Sequence, residues 1–105
     1  MKDGFLKIAC ATPDLRVADC DYNTDRILEL ISRAHKTGVK IICFPELSIT
    51  GYTCGDLFLQ DALQQAAMDS LVRIMEETSN MEIISIVGLP IIGKSRLNNC
   101  AAVIY

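Results

Sequence analysis

The chain has 105 residues, half of them hydrophobic and 22% charged, with 10 Lys and Arg against 13 Asp and Glu for a net charge of −3. So apolar a composition excludes intrinsic disorder, and the mildly acidic balance without a basic run argues against nucleic-acid binding and against docking on anionic lipid. No apolar run approaches the roughly 18 residues of a membrane helix, and Phe5–Ala11, broken by Lys7 and followed by Pro13-Asp14, lacks the make-up of a secretory signal. The size fits one domain or part of one. Cysteines stand at 10, 20, 43, 54 and 100, an odd count with no Cys-x-x-Cys pair, and there is a single histidine. A zinc site therefore has little support. Cys10, Cys43 and Cys100 fall in apolar runs and read as small hydrophobes. Reduced thiols without an export signal point to the cytoplasm.

The first apolar run, Leu6–Ala11, reads as a strand. From Thr24 to Thr37, Ile27, Leu30, Ile31 and Ala34 recur on one face of a helix. Asn23 or Thr24 is placed to cap its start. Gly38 suits the left-handed position past its end, and His35 and Lys36 favour its last turn. His35 reads as a solvated helix-end side chain. Val39–Phe44 is a second strand, rich in Ile. A second helix is expected over 59–78, with Leu63, Ala67, Leu71, Ile74 and Met75 as its buried stripe and Asp61 with Gln64 as a capping box. Ile83–Leu89 and Cys100–Tyr105 complete the strands. Alternating strands and helices imply parallel pairing with right-handed crossovers. The Pro90–Asn99 link is too short for another crossover, so the fourth strand is expected antiparallel to the third. The fold class is thus α/β with a mixed sheet in β-α-β-α-β-β order. Two helices can cover one face of such a sheet, whereas nearly continuous apolar strands call for cover on both. The chain therefore reads as the front portion, residues 1–105, of a larger domain.

The segment from Phe44 to Phe58, FPELSITGYTCGDLF, holds the chemistry. Pro45 has no N–H for a sheet ladder and marks the end of the second strand. Glu46 then emerges at the carboxyl end of a parallel strand, the edge where open α/β sheets bind ligands. A carboxylate drawn out of water there would hold a proton more readily, as a general base requires. On position alone, a solvated residue at a strand exit is the simpler reading.

The surroundings add to this. Phe44-Pro45-Glu46-Leu47 followed by Thr50-Gly51-Tyr52 resembles the first catalytic motif of the nitrilase, or carbon–nitrogen hydrolase, superfamily. Gly51-Tyr52-Thr53-Cys54-Gly55-Asp56-Leu57 is similar to one branch, the glutaminase domains of glutamine-dependent NAD synthetases. Lys7-Ile8-Ala9, the run from Gly38 to Ile42, Val87-Gly88-Leu89-Pro90 and the run from Asn98 to Ile104 extend the resemblance along nearly the whole chain.

The resemblance implies a four-layer α-β-β-α sandwich, of which this chain would form one sheet and its helices. It implies a Glu–Lys–Cys triad in which Glu46 is the general base for a cysteine thiol that attacks glutamine, and it sets Tyr52 near the glutamine pocket. The triad lysine would follow the fourth strand and the cysteine would come later still. Lys94 lies too early, and Cys54, eight residues after Glu46, does not match the nucleophile's context. The chain alone is therefore expected not to hydrolyse glutamine. Its implied partners are glutamine, the rest of its domain, a synthetase domain that uses ATP and Mg, and further copies of itself. No cofactor is expected in this portion. Asp56 reads most simply as a cap for the following helix.

Gly88–Ser95, GLPIIGKS, matches the phosphate-binding pattern Gly-x4-Gly-Lys-Ser. The physics is against it. Pro90 removes one backbone N–H from the cradle, Ile91 and Ile92 resist positive φ, and no helix follows Lys94-Ser95 to present its N-terminus. A hairpin loop is expected instead. The rival readings are a nucleotide-binding module using Lys94 and Ser95, another amidase of the same superfamily, and a free-standing α/β interaction domain.

Overall fold

A computed structural model describes residues 4–105. Its elements run β1 (Ile8–Cys10), α1 (Cys20–Lys36), β2 (Ile41–Cys43), a 3₁₀ turn (Gly55–Leu59), α2 (Asp61–Glu77), β3 (Ile84–Gly93) and β4 (Arg96–Ile104). The strands form one sheet in the order β1-β2-β3-β4. β1 pairs parallel with β2, β2 parallel with β3, and β3 antiparallel with β4. The mixed α/β sheet and the β-α-β-α-β-β order are those expected from the apolar runs.

The register divides the sheet into two faces. Ala9, Ile42, Ser85 and Ile104 form one rung, and Val87 with Ala102 and Leu89 with Cys100 continue that face. Ile42, Val87 and Leu89 are buried there against Ile27, Ile31, Ala67 and Ile74 of the two helices. Burying an aliphatic side chain of this size is worth about 1.5–3 kcal/mol, so this one layer holds the core. The other face carries Ile8, Ile41 and Ile84 in one rung and Cys10, Cys43, Ile86 and Val103 in the next. Among the described residues no helix covers it: Ile8 is 65% and Val103 56% exposed. Cys10, expected to pack as a small hydrophobe, is exposed on this side.

Local boundaries depart from expectation in instructive ways. α1 begins at Cys20, with Asp19 as its cap: Tyr22 N–H donates to Asp19 Oδ1 at 3.1 Å. Asn23 and Thr24 are not caps but fully buried helix residues. A polar residue on the inner face breaks the apolar periodicity, so the first turn of this helix is invisible to a hydrophobic pattern. The far end holds as read, with Gly38 at φ +83° and His35 exposed in the last turn. α2 starts after Gln60, which makes no side-chain cap. Gln64 does not close a capping box with Asp61; its side-chain amide donates to Phe58 O at 2.9 Å. Asp56 lies in the 3₁₀ turn rather than at the start of α2, so it does not cap that helix. Of the expected α2 stripe, Leu63, Ala67 and Ile74 are buried, whereas Met75 is 51% exposed; buried Ser70 takes a place on the inner face instead. Arg73 ties the two helices together, reaching Asp25 at 2.5 Å and Glu77 at 2.6 Å.

The third and fourth strands are longer than the apolar runs suggested. Their ladder continues from Leu89–Cys100 out to Gly93–Arg96, leaving Lys94 and Ser95 as a two-residue turn with φ +52° and +62°. Two consecutive left-handed residues are the signature of a type I′ hairpin. The Gly-x4-Gly-Lys-Ser run is thus a strand and a hairpin tip with no helix behind it. It offers no cradle for phosphate, and the nucleotide-binding alternative through Lys94 and Ser95 is set aside.

Candidate functional site

Glu46 sits where β2 leaves the sheet. Phe44 N–H donates to Ile86 O at 2.9 Å, extending the pairing one step past Cys43. The chain then turns sharply. Ser48 N–H donates to Pro45 O at 3.2 Å, Gly51 N–H to Leu47 O at 2.8 Å, and Leu47 adopts φ +54°. A bulky residue in the left-handed region is strained and persists only where its surroundings hold it.

Two sets of contacts hold this turn. On the β3 side, Gly88 N–H donates to Ser48 Oγ at 3.1 Å and Ile49 N–H donates to Gly88 O at 3.0 Å. The turn lies so close over Gly88 that a Cβ there would stand 2.3 Å from Leu47 N and 2.9 Å from Glu46 C. On the α1 side, buried Asn23 donates to Ile49 O at 2.9 Å and to Arg16 O at 2.8 Å, and accepts from Arg16 N–H at 2.7 Å. Ala18 N–H adds a bond to Thr50 O at 2.7 Å. Leu47, Ser48, Ile49 and Thr50 are consequently all buried, while Glu46 itself is exposed.

That exposure agrees with the position-only reading of a solvated residue at a strand exit, and not with a carboxylate drawn out of water. Gly88 pairs with Ala101 on the uncovered face, and the turn crosses over Gly88. Glu46 therefore projects on the side of the sheet that no helix of the described residues shields. Its one side-chain partner among the described residues is Asn99 of β4, whose Nδ2 donates to Glu46 Oε1. A cleft of about 180 Å³ opens beside it, lined by Leu47, Phe58, Pro90, Leu97, Asn98 and Asn99. Tyr52 stands 65% exposed, outside this lining and not packed on the core. Lys94 and Ser95 lie at the hairpin tip, exposed.

Cys54 is buried, and its thiol donates to Thr50 O at 3.2 Å. It is a structural thiol behind the turn rather than a group offered to a substrate. Cys20 is buried too, and burial first, then the neighbouring Cys54 and the nearby Asp21 and Asp19, push its thiol from 9.0 up to about 11. The sign follows from which state binds the proton more tightly. Below about pH 9 both folded and unfolded chains keep the thiol protonated, and between about 9 and 11 only the folded chain does, so stability falls as pH rises through that window. Urea unfolding midpoints should decline from pH 9 to 11, and Cys20→Ala should flatten that decline. An identical slope in the variant would take the effect away from Cys20.

Gly88, Asn23, Ser48 and Asn99 are the parts of the site that sequence reasoning did not single out. For Gly88 a signal existed: a glycine inside a strand marks a bulge or a close backbone approach. Asn23 looked like a helix cap and proved to be a brace. Nothing local marks Ser48 or Asn99, whose partners lie 40 and 53 residues away.

A mixed α/β sheet that carries a carboxylate on a braced turn at the carboxyl edge of a parallel strand is an open α/β domain whose candidate site lies at the edge where such sheets bind ligands. The carbon–nitrogen hydrolase family model matches residues 7–104, and the chain belongs to that family. It is 31% identical over 102 residues to the glutamine-dependent NAD(+) synthetase of Mycobacterium tuberculosis, covering 97% of this chain and 15% of the relative. It is 37% identical over 100 residues to that of Xanthomonas campestris, covering 94% and 18%. The crystal structure of a glutamine-dependent NAD(+) synthetase from Cytophaga hutchinsonii superposes with a TM-score of 0.88 at 32% identity, over 94% of this chain and 17% of that one. The chain thus spans less than a fifth of the length of these relatives.

Proposed function

We propose that this chain is part of the glutaminase domain of a glutamine-dependent NAD synthetase and supplies its general base, Glu46. The observation that carries the reading is the placement of Glu46: a carboxylate at the carboxyl edge of β2, on a turn braced from both sides, beside a cleft. The names of the relatives support the same branch. In this reading the lysine and cysteine of the triad come from segments beyond these 105 residues, and so does the layer that covers the open face and withdraws Glu46 from water. Without them the chain alone does not hydrolyse glutamine.

The chemistry assigns each part a role. Glu46 takes the proton from the cysteine thiol, and the resulting thiolate attacks the amide carbon of glutamine. The lysine's charge stabilises the oxyanion that forms. The carbon–nitrogen bond breaks, the proton returns to the leaving nitrogen, and ammonia departs while a thioester remains for water to hydrolyse. Tyr52 lies near the glutamine in this arrangement. The ammonia passes to a synthetase domain that uses ATP and Mg to amidate deamido-NAD. The hairpin at Lys94-Ser95 lacks a backbone cradle for a nucleotide phosphate, and in this reading the ATP site belongs to the synthetase domain. Work in the cytoplasm is in keeping with five free thiols. The apolar open face is the surface through which this sheet meets the rest of its domain, or a second copy when that is missing.

Glu46→Gln, made in the protein that contains this chain, tests the reading. A lost general base costs on the order of 10²- to 10⁴-fold. Glutamine-driven NAD formation should fall by at least about 100-fold, while turnover with added ammonia should be unchanged. Glutamine-driven turnover equal to that of the unmodified protein would remove Glu46 from its role.

A further inference from the structure

Asn98 and Asn99 are adjacent amides with different occupations. Successive residues of a strand point to opposite faces. Asn98 turns back into its own hairpin, its Nδ2 donating to Arg96 O at 3.2 Å and Ile91 O at 3.5 Å. Asn99 reaches across 53 residues of sequence and donates to Glu46 Oε1. It is opposite Pro90 in the ladder, on the same face as the Gly88–Ala101 pair beneath the turn. At an exposed position an amide has water as an alternative partner, so this contact is not forced by burial. It is aimed.

The turn fixes the backbone of Glu46 but not its side chain. The contacts at Gly88, Ser48 and Asn23 end at main-chain atoms of residues 45–50 or at the Ser48 hydroxyl. A glutamate in that position keeps its own side-chain rotations. A carboxylate has two oxygens, each able to accept. With Oε1 held by Asn99, the head group is oriented and Oε2 is left free to accept a proton. We infer that Asn99 is a positioning residue for Glu46, orienting the carboxylate so that its second oxygen faces the reacting thiol.

This inference rests on the reading of Glu46 as general base. Small misplacements of a reacting group cost up to about 100-fold in rate. Asn99→Leu keeps the side chain's size and removes its donor, and Asn99→Asp removes the donor and sets a like charge against Glu46. Both variants, in the full-length protein that contains this chain, should lower kcat for glutamine hydrolysis by roughly 10- to 100-fold and leave KM within about twofold. The thermal unfolding midpoint and ammonia-driven turnover should stay at the parent values. If Asn99→Leu alone shifts the unfolding midpoint, Asn99→Asp decides the matter. A kcat within about twofold of the parent in both variants, or a loss confined to KM, overturns the inference. Glu46→Gln, measured alongside, separates the two ideas: a large loss there with unaffected Asn99 variants sinks only the role of Asn99, whereas an active Glu46→Gln enzyme sinks both.

Discussion

Gly88→Ala should destabilise this protein strongly. The new Cβ would lie 2.3 Å from Leu47 N and 2.9 Å from both Glu46 C and Pro45 O. All three are backbone atoms, so no rotamer change can make room. Either β3 and the turn separate, breaking the Gly88–Ser48 and Ile49–Gly88 hydrogen bonds, or the sheet distorts. Overpacking of a well-filled site costs about 1–3 kcal/mol and sometimes more, and here the lost bonds add to it; a total of about 3 kcal/mol or above is expected. Urea unfolding should show the midpoint shift. In the larger protein proposed above, the same substitution moves Glu46, so glutamine-driven turnover of that protein should fall in parallel. A variant with the parent's midpoint and turnover would mean that the turn does not rest on β3.

Asn23→Ala should be comparably severe. Asn23 is fully buried and makes three bonds to backbone groups, one from Arg16 N–H and two to the carbonyls of Arg16 and Ile49. Of these partners only the Ile49 carbonyl is buried, and leaving it unsatisfied costs about 1–3 kcal/mol, while the two part-buried Arg16 groups add less, so a loss of about 2–3 kcal/mol is expected. Asn23→Asp keeps the acceptor, gives up both donors and buries a charge, and should be worse still. The comparison of both variants by urea unfolding distinguishes this brace from a helix cap. A cap would tolerate Asp as well as Asn and would cost only about 1 kcal/mol on truncation to Ala.

These two residues mark the limits of what the sequence disclosed. The apolar runs around Ile8, Ile42, Val87 and Val103 were enough to place four strands, and the shortness of the last connection was enough to make the final pair antiparallel. Hydrophobic patterning reports burial, and burial is what sets the order of layers. It does not report polar side chains that turn inward. Asn23, Thr24 and Ser70 all sit on buried helix faces, and each blurred a boundary or a stripe. The site shows the same division. Glu46 was legible because Pro45 marks a strand exit and the flanking residues resemble a known motif. Its surroundings were not, because Ser48, Gly88 and Asn99 acquire their roles only when strands distant in sequence are brought side by side. Its exposure matches what position alone suggested, but the open face behind it was not legible: strand order predicts the edge from which a side chain emerges, not which face is left without cover.

Leu47 shows what the site demands of the chain. Glycine would adopt its left-handed backbone with ease, yet the position is filled by a residue that is 8% exposed and forms a wall of the cleft. Comfort of the main chain and shape of the cleft therefore pull in opposite directions at the residue directly after Glu46. Substitutions chosen only to make this domain sturdier would be drawn to Leu47, and relaxing it would trade away the hollow beside the carboxylate.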